Sequence, residues 1–223
     1  MKAVILLSGG LDSATALFWA KSKGYRAHCL IFDYGQRHKK EIASAVKVAR
    51  AAKSTYQIIP IQLPWGGSVL LGRQGRLPQS RSVKQMILGD IPATYVPARN
   101  TIFLSFAVSC ADAMGASAVV IGANAVDYSG YPDCRPAYLS AMEKAARLGT
   151  RRGAKGENLK ILSPLVRLSK AQIILLGTGL KVPYDLTWSC YEGGRKPCGL
   201  CDSCILRAKG FKDAGLKDPL IQK

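Results

Sequence analysis

Two stretches of the chain concentrate residues able to do chemistry. The first is Ser8-Gly9-Gly10-Leu11-Asp12-Ser13, directly after the apolar run 4–7. Two glycines let a backbone turn tightly and bring its N–H groups against an anion. A helix starting at the end of the run would add the positive end of its dipole. Ser8 and Ser13 supply hydroxyl donors, and Asp12 can help hold a magnesium ion carried by a nucleotide. The loop is not of the Walker type, because no Gly-Lys-Ser/Thr follows. The second stretch is Cys190-x7-Cys198-x2-Cys201-x2-Cys204. Four thiolates separated by short, Gly- and Pro-containing turns suit the four tetrahedral ligands of a structural zinc ion. Spacing alone leaves an iron–sulfur cluster open as the rival. A redox Cys-x-x-Cys pair fits less well, since it leaves two thiols unexplained.

Elements of alternating type must position these groups. The run 4–7 reads as a strand buried on both faces. Ala14, Leu17 and Phe18 then recur at helical spacing. Residues 27–32 read as a second strand, followed by a helix whose face is Ile42, Ala45, Val46 and Ala49. Residues 56–61 give a third strand, and 64–97 a long, partly mobile loop over the site. A helix over 101–114, a strand over 117–122, a polar loop over 124–136 and a short strand over 160–162 follow. Ser169 is the expected N-cap of a helix through Leu176, closed by Gly177 or Gly179. The alternation predicts an α/β fold, a doubly wound, Rossmann-like parallel sheet with a small C-terminal zinc-binding segment. Residues 1–186 would form the main domain and 187–223 the zinc segment packed on it. Ligands of such sheets sit beyond the carboxyl ends of the strands, which puts the loops after Leu7, Phe32 and Gly122 on one rim.

Composition narrows the class. The 223 residues are 48% hydrophobic, which excludes a disordered chain, and no apolar run is long enough for a membrane span. The first ten residues read as a buried strand and a Gly-rich turn, not a signal peptide, so a cytoplasmic protein is expected. With 32 basic against 14 acidic residues the net charge is +18. Such a surface attracts polyanions. The basic residues nevertheless lack aromatic interleaving and any nucleic-acid motif, so a nucleic-acid partner is not expected. Of the seven cysteines, Cys29, Cys110 and Cys134 are scattered and the other four crowd near the C-terminus, a pattern of metal binding and not of a disulfide framework. Cys29, Cys110 and His28 read as core residues.

The loop at 8–13 resembles the pyrophosphate loop of the ATP pyrophosphatase group, whose members adenylate a carboxylate or carbonyl before a nitrogen or sulfur nucleophile displaces AMP. Further motifs join it in order: Tyr34-Gly35-Gln36-Arg37-His38, Val96-Pro97-Ala98-Arg99-Asn100, the segment 127–135 containing Ser129-Gly130-Tyr131-Pro132-Asp133-Cys134, Thr187-Trp188-Ser189-Cys190-Tyr191, and the last three cysteines. Together they resemble the 7-cyano-7-deazaguanine synthase family over nearly the whole chain. Gln172 departs from an expected Glu, Ser163 from an expected Thr, and the stretch 73–84 is unusually basic.

The resemblance implies conversion of 7-carboxy-7-deazaguanine and ammonia to the 7-nitrile through an acyl adenylate and an amide, with ATP, Mg²⁺ and Zn²⁺. On that reading the loop Ser8, Gly9, Gly10, Leu11, Asp12, Ser13 holds the nucleotide phosphates. Arg37, Arg99, Lys170 and Arg135 are candidate cations for charge developing at the α-phosphate. His38 is a candidate proton shuttle. Asp127 or Asp133 would accept from the aminopyrimidinone edge, and Tyr131 would stack on it. Asn100 would bridge the substrates or cap its helix. Arg195, Lys196 and Arg207 would offset the charge of the thiolates of Cys190, Cys198, Cys201 and Cys204. A homodimer is expected. The rivals are a tRNA-modifying enzyme with the same ATP loop, a zinc-stabilised nucleic-acid-binding module, and a relative that joins the deazapurine to a protein amine.

Overall fold

A computed structural model describes residues 1–72, 75–88, 90–125 and 130–221. Asp127, with its neighbours 126–129, therefore lies outside the described residues. Five strands, β1 (Lys2–Leu6), β2 (Arg26–Asp33), β3 (Thr55–Pro60), β4 (Ala118–Ile121) and β5 (Lys160–Leu162), form one parallel sheet in the order β3-β2-β1-β4-β5. The helices are α1 (Leu11–Ser22), α2 (Lys40–Ala51), α3 (Val83–Leu88), α4 (Arg99–Met114), α5 (Pro136–Gly149), α6 (Arg151–Ala154), α7 (Lys170–Gly179) and α8 (Asp202–Asp213).

Side chains alternate across β1 and sort the core into two layers. Ile5 and Leu7 pack with Leu17 of α1, Val48 of α2, Ile173 of α7 and Phe211 of α8. Val4 and Leu6 face the other way, toward Leu104 of α4 and Leu139 of α5. Both faces of the strand are thus covered, which is why 4–7 is apolar without interruption. The chain leaves β1 for β2 on one side, while β4 lies on the other. The sheet's switch point falls between β1 and β4, where the loop at 8–13 begins.

Several expectations are refined. Residues 64–97 carry the short helix α3, and Leu70, Leu77 and Val96 are buried against the β1–α4 layer. Ser80 donates to the Leu200 carbonyl at 2.8 Å, and Arg81 pairs with Asp202, so the stretch is tied to the cysteine segment. α7 runs through Gly177 to Gly179, and the missing Cβ of Gly177 leaves room for Tyr184 Oη, which would stand 1.8 Å from it. Ser169 caps α7 reciprocally with Gln172. His28 is not a core residue; it is half-buried and bonds Thr55 Oγ1 at 2.9 Å. Cys29 is fully buried, and burial pushes its thiol up to about 12, whereas Cys110 is half-buried.

Candidate active site

The loop from Ser8 to Ser13 closes on itself before α1 starts. Ser8 Oγ and Ser13 Oγ lie 3.0 Å apart, and Ser13 Oγ donates to the Gly10 carbonyl at 3.1 Å. Gly10 is the N-cap and offers no side chain, so the first-turn N–H groups of α1 keep their capacity for an anion. Two glycines are obligatory for this shape. Gly9 has φ +85°, and a Cβ there would stand 2.3 Å from the Glu41 carbonyl oxygen. A Cβ on Gly122, after β4, would stand 2.8 Å from the Ser13 nitrogen. Both strand ends can approach the loop only because these side chains are absent.

A cavity of about 290 Å³ opens above β1, β2 and β4. Ser8, Gly10, Leu11, Asp12 and Ser13 form one part of its wall, with Gly122, Ala123 and Asn124 beside them. The three loops expected on one rim therefore meet there. Lys170, at the first turn of α7, holds both oxygens of Asp12 at 2.8 and 2.7 Å. The stem of Lys170 is held in turn by α8, where a Cβ on Gly210 would fall 2.4 Å from Lys170 Cγ. The expected cation and the expected metal-assisting acid thus form one pair at the cavity wall.

Arg99 and Asn100 enter the wall from the start of α4. Ala98 precedes them in the left-handed region at φ 51°, a costly conformation for a residue with a Cβ. Its N–H donates to Tyr95 Oη at 2.9 Å. Arg99 Nη1 donates to Tyr34 Oη at 3.3 Å. Burial opposes the guanidinium's charge, but the phenols of Tyr34 and Tyr131 and the Asp133 carboxylate outweigh it, and the pKa is raised. Arg99 is a fixed cation inside the cavity.

Other expected residues are placed differently. Asp133 is buried and spends both carboxylate oxygens on Asn100, accepting from its backbone nitrogen at 3.0 Å and from Nδ2 at 3.2 Å. It serves the start of α4 and does not line the cavity. Asn100 is thus the capped partner rather than the cap, and its side chain also reaches Cys134 Sγ at 3.2 Å. Tyr131 lines the cavity and meets Thr94 Oγ1 at 2.9 Å. Arg135 is exposed and away from the wall. Arg37 binds the Gly75 carbonyl at 3.1 Å and lies 3.9 Å from Glu192. His38 is packed beneath Gly193, where a Cβ would stand 2.3 Å from its ring. Burial lowers its pKa, and its buried Nδ1 has no hydrogen-bond partner among the described residues. Neither side chain reaches the cavity lining. Conversely, Glu41, Trp188, Ser189 and Cys134 line it without having been anticipated as site residues. For Glu41 the available signal was an acidic residue in the first turn of a helix that follows a rim loop.

The four cysteines converge as the spacing predicts. Their Sγ atoms all lie within 4.8 Å of one another, and Cys198 Sγ is 4.0 Å from Cys204 Sγ. A tetrahedral ion with bonds of about 2.3 Å would set its sulfurs about 3.8 Å apart. Backbone N–H groups of Cys198, Leu200 and Cys201 point at sulfur, at 3.3–3.4 Å. Hydrogen bonds from Cys201 and Cys204 draw the Cys190 thiol strongly down, which forces Cys201 up to about 12 and raises Cys204 as well. So close a set cannot ionise together unless a cation sits among them, and the donor set fits a metal ion. Arg207 does not offset that charge. It forms a buried two-point pair with Asp218 at 2.6 and 2.8 Å and donates to Thr187 Oγ1 and the Tyr184 carbonyl. The cysteine segment is joined to the 8–13 loop directly, by Trp188 N donating to the Gly9 carbonyl at 2.9 Å.

Residues 2–215 match the family described as Queuosine biosynthesis protein QueC. The chain belongs to the QueC family. It is 55% identical over 223 residues to a 7-cyano-7-deazaguanine synthase of Nostoc punctiforme, with 99% of each chain covered. It is 54% identical to the synthase of Trichodesmium erythraeum over 99% of this chain and 100% of that one. Among solved structures it is similar to NMN synthetase from Francisella tularensis, with a TM-score of 0.52 and 19% identity over 96% of this chain and 77% of that one, a likeness of fold alone. The QueC relatives and the parallel sheet make this an ATP-dependent synthase fold, with four cysteines placed so that they could hold a metal ion. No described helix is long and apolar enough to cross a membrane.

Proposed function

We propose that this QueC family member is a 7-cyano-7-deazaguanine synthase that converts 7-carboxy-7-deazaguanine and ammonia to the 7-nitrile at the expense of ATP. The carrying observation is a single cavity in which the phosphate loop, the Asp12–Lys170 pair and the half-buried cation Arg99 face one another. A carboxylate attacking the α-phosphate builds negative charge there. Preorganised N–H groups at the start of α1 and the two cations oppose that charge without reorganising. With nucleotide bound, Asp12 and the loop hydroxyls would hold its Mg²⁺, and Lys170 would be released toward the phosphates. The deazapurine would occupy the end lined by Asn100, Tyr131 and Cys134, with its carboxylate toward Arg99.

Zinc is the metal favoured at the cysteines. An iron–sulfur cluster puts its thiolates on different irons and needs them farther apart than a single ion does. All four positions are filled by sulfur, so the metal's role is to fold residues 187–223 onto the main domain, and through Trp188 to brace the Gly9 turn. We read 1–186 and 187–223 as these two parts.

The test is to incubate the zinc-loaded protein with ATP, Mg²⁺, ammonium and 7-carboxy-7-deazaguanine, and to follow products by mass spectrometry. The expected products are AMP and pyrophosphate, then the amide, then the nitrile. Asp12→Ala should lower the rate at least about 100-fold with the fold retained. No deazaguanine product from a protein that binds zinc and ATP would refute the reading.

A further inference from the structure

One carboxyl in the cavity has no structural duty. Asp12 is held by Lys170 and Asp202 by Arg81. Glu41 also lines the cavity, yet it makes no hydrogen bond or ion pair to any described residue. Its position is nonetheless tightly set. The first turn of α2 is pressed against Gly9, whose missing Cβ would lie 2.3 Å from the Glu41 carbonyl oxygen. The carboxyl therefore stands beside the phosphate loop, on the same wall as Arg99 and Tyr34. The groups that act on it electrostatically are Arg99 from α4 and Cys190 from the metal segment, and it acts in turn on Tyr34.

We propose that Glu41 binds ammonium at the adenylate and takes the proton that turns it into the attacking ammonia. The inference rests on the synthase reading above. Ammonium predominates at neutral pH and has no lone pair with which to attack. A cavity built for phosphate, with Arg99 and Lys170 in its wall, repels it unless an anion receives it. Glu41 is the carboxylate left over for that task. In the step, one N–H bond of ammonium breaks and its proton goes to the Glu41 carboxylate. The freed nitrogen pair then forms the C–N bond to the acyl carbon. The bond from that carbon to the adenylate oxygen breaks, and its electron pair leaves on AMP. The surplus proton on nitrogen departs with the AMP phosphate. Burial raises the Glu41 carboxyl to about 7, against the pull of Arg99, which suits a group that must accept a proton and then release it near neutrality.

The test separates activation from nitrogen transfer. Pyrophosphate exchange into ATP, dependent on 7-carboxy-7-deazaguanine, reads adenylation. Amide formation from ammonium reads the proposed step. Hydroxamate formation from hydroxylamine, a nucleophile already neutral at pH 7, reads acyl transfer without the need for a base. Glu41→Gln should keep exchange and hydroxamate formation near wild-type rates, and lose about 100-fold or more in kcat/KM for ammonium. Glu41→Asp should fall between, chiefly through a higher KM for ammonium, and serves alone if the Gln variant does not fold. Unchanged ammonium use in Glu41→Gln would overturn the proposal. So would loss of exchange in folded protein of both variants, which would make Glu41 part of nucleotide or metal binding. Absence of exchange in the wild-type protein would overturn the synthase reading instead.

Discussion

Arg207 and Glu41 are both ionisable side chains drawn out of water, and their surroundings differ in one respect. Arg207, in the C-terminal segment, has its donors taken by Asp218, Thr187, Ser189 and the Tyr184 carbonyl. Glu41, on the cavity wall, has no hydrogen-bond partner among the described residues. The C-terminal cluster is saturated and the cavity is not. A saturated buried network specifies one arrangement of the chain, whereas polar groups left uncommitted in a cavity cost stability that a bound substrate can repay. The contrast assigns the first region to architecture and the second to chemistry.

Removing Arg207 gives the largest change in stability. Arg207→Ala leaves Asp218 buried without its partner and frees the end of the chain from Thr187 and Tyr184. The expected loss is about 3–5 kcal/mol, read as a lower urea midpoint at constant slope. A loss below about 1 kcal/mol would mean that the pair is solvated and that the contrast with Glu41 fails.

Glu41→Gln should act in the opposite direction. The carboxyl rises from its ordinary 4.5 to about 7 in the fold. Between those values the folded protein binds the extra proton, so the stability tied to this group is present below pH 4.5. It falls as pH rises and is gone above about pH 7. A glutamine carries no charge to bury, so the variant should gain on the order of 1–3 kcal/mol at pH 8 and almost nothing near pH 4.5. Thermal melts of both proteins across that range read the difference. A variant less stable at pH 8 would show that Glu41 has a structural partner after all.

This division between saturated and open groups also marks what the sequence made legible. The strand 4–7, the glycine loop and the cysteine spacing were readable because each is a local pattern. β1 is apolar throughout because both its faces are covered, and the cysteines meet because short turns allow nothing else. α7 ends at Gly179, one of the two glycines the sequence offered, and the choice between them was not local, since Gly177 stays helical with Tyr184 packed against it. Nor was the packing of Leu70, Leu77 and Val96, which reach a layer formed by distant parts of the chain. Asp133 and His38 look like site residues in their motifs, but tertiary contacts commit the first to Asn100 and pack the second against Gly193, outside the cavity lining. Glu41 was hidden for the converse reason. An acid in the first turn of a helix is what the dipole favours anywhere, and only the fold shows that this one lines a cavity.

Gln172 tests the comparison at its fine end, because it belongs to a first-turn motif near Lys170 and its side-chain oxygen is nevertheless committed to the cap. Its Oε1 accepts from Ser169 N at 2.8 Å, and its own backbone nitrogen donates to Ser169 Oγ at 3.3 Å. It does not line the cavity. Gln172→Ala removes half of this reciprocal cap and should cost about 1 kcal/mol, with the Michaelis constants for ATP and the carboxylate substrate unchanged. Gln172→Glu keeps the acceptor and adds negative charge at the positive end of α7, so it should hold or raise the melting temperature. A shift in either Michaelis constant without a shift in melting temperature would move Gln172 from the capped helix end into the substrate site, and would show that saturation by hydrogen bonds does not by itself separate architecture from chemistry.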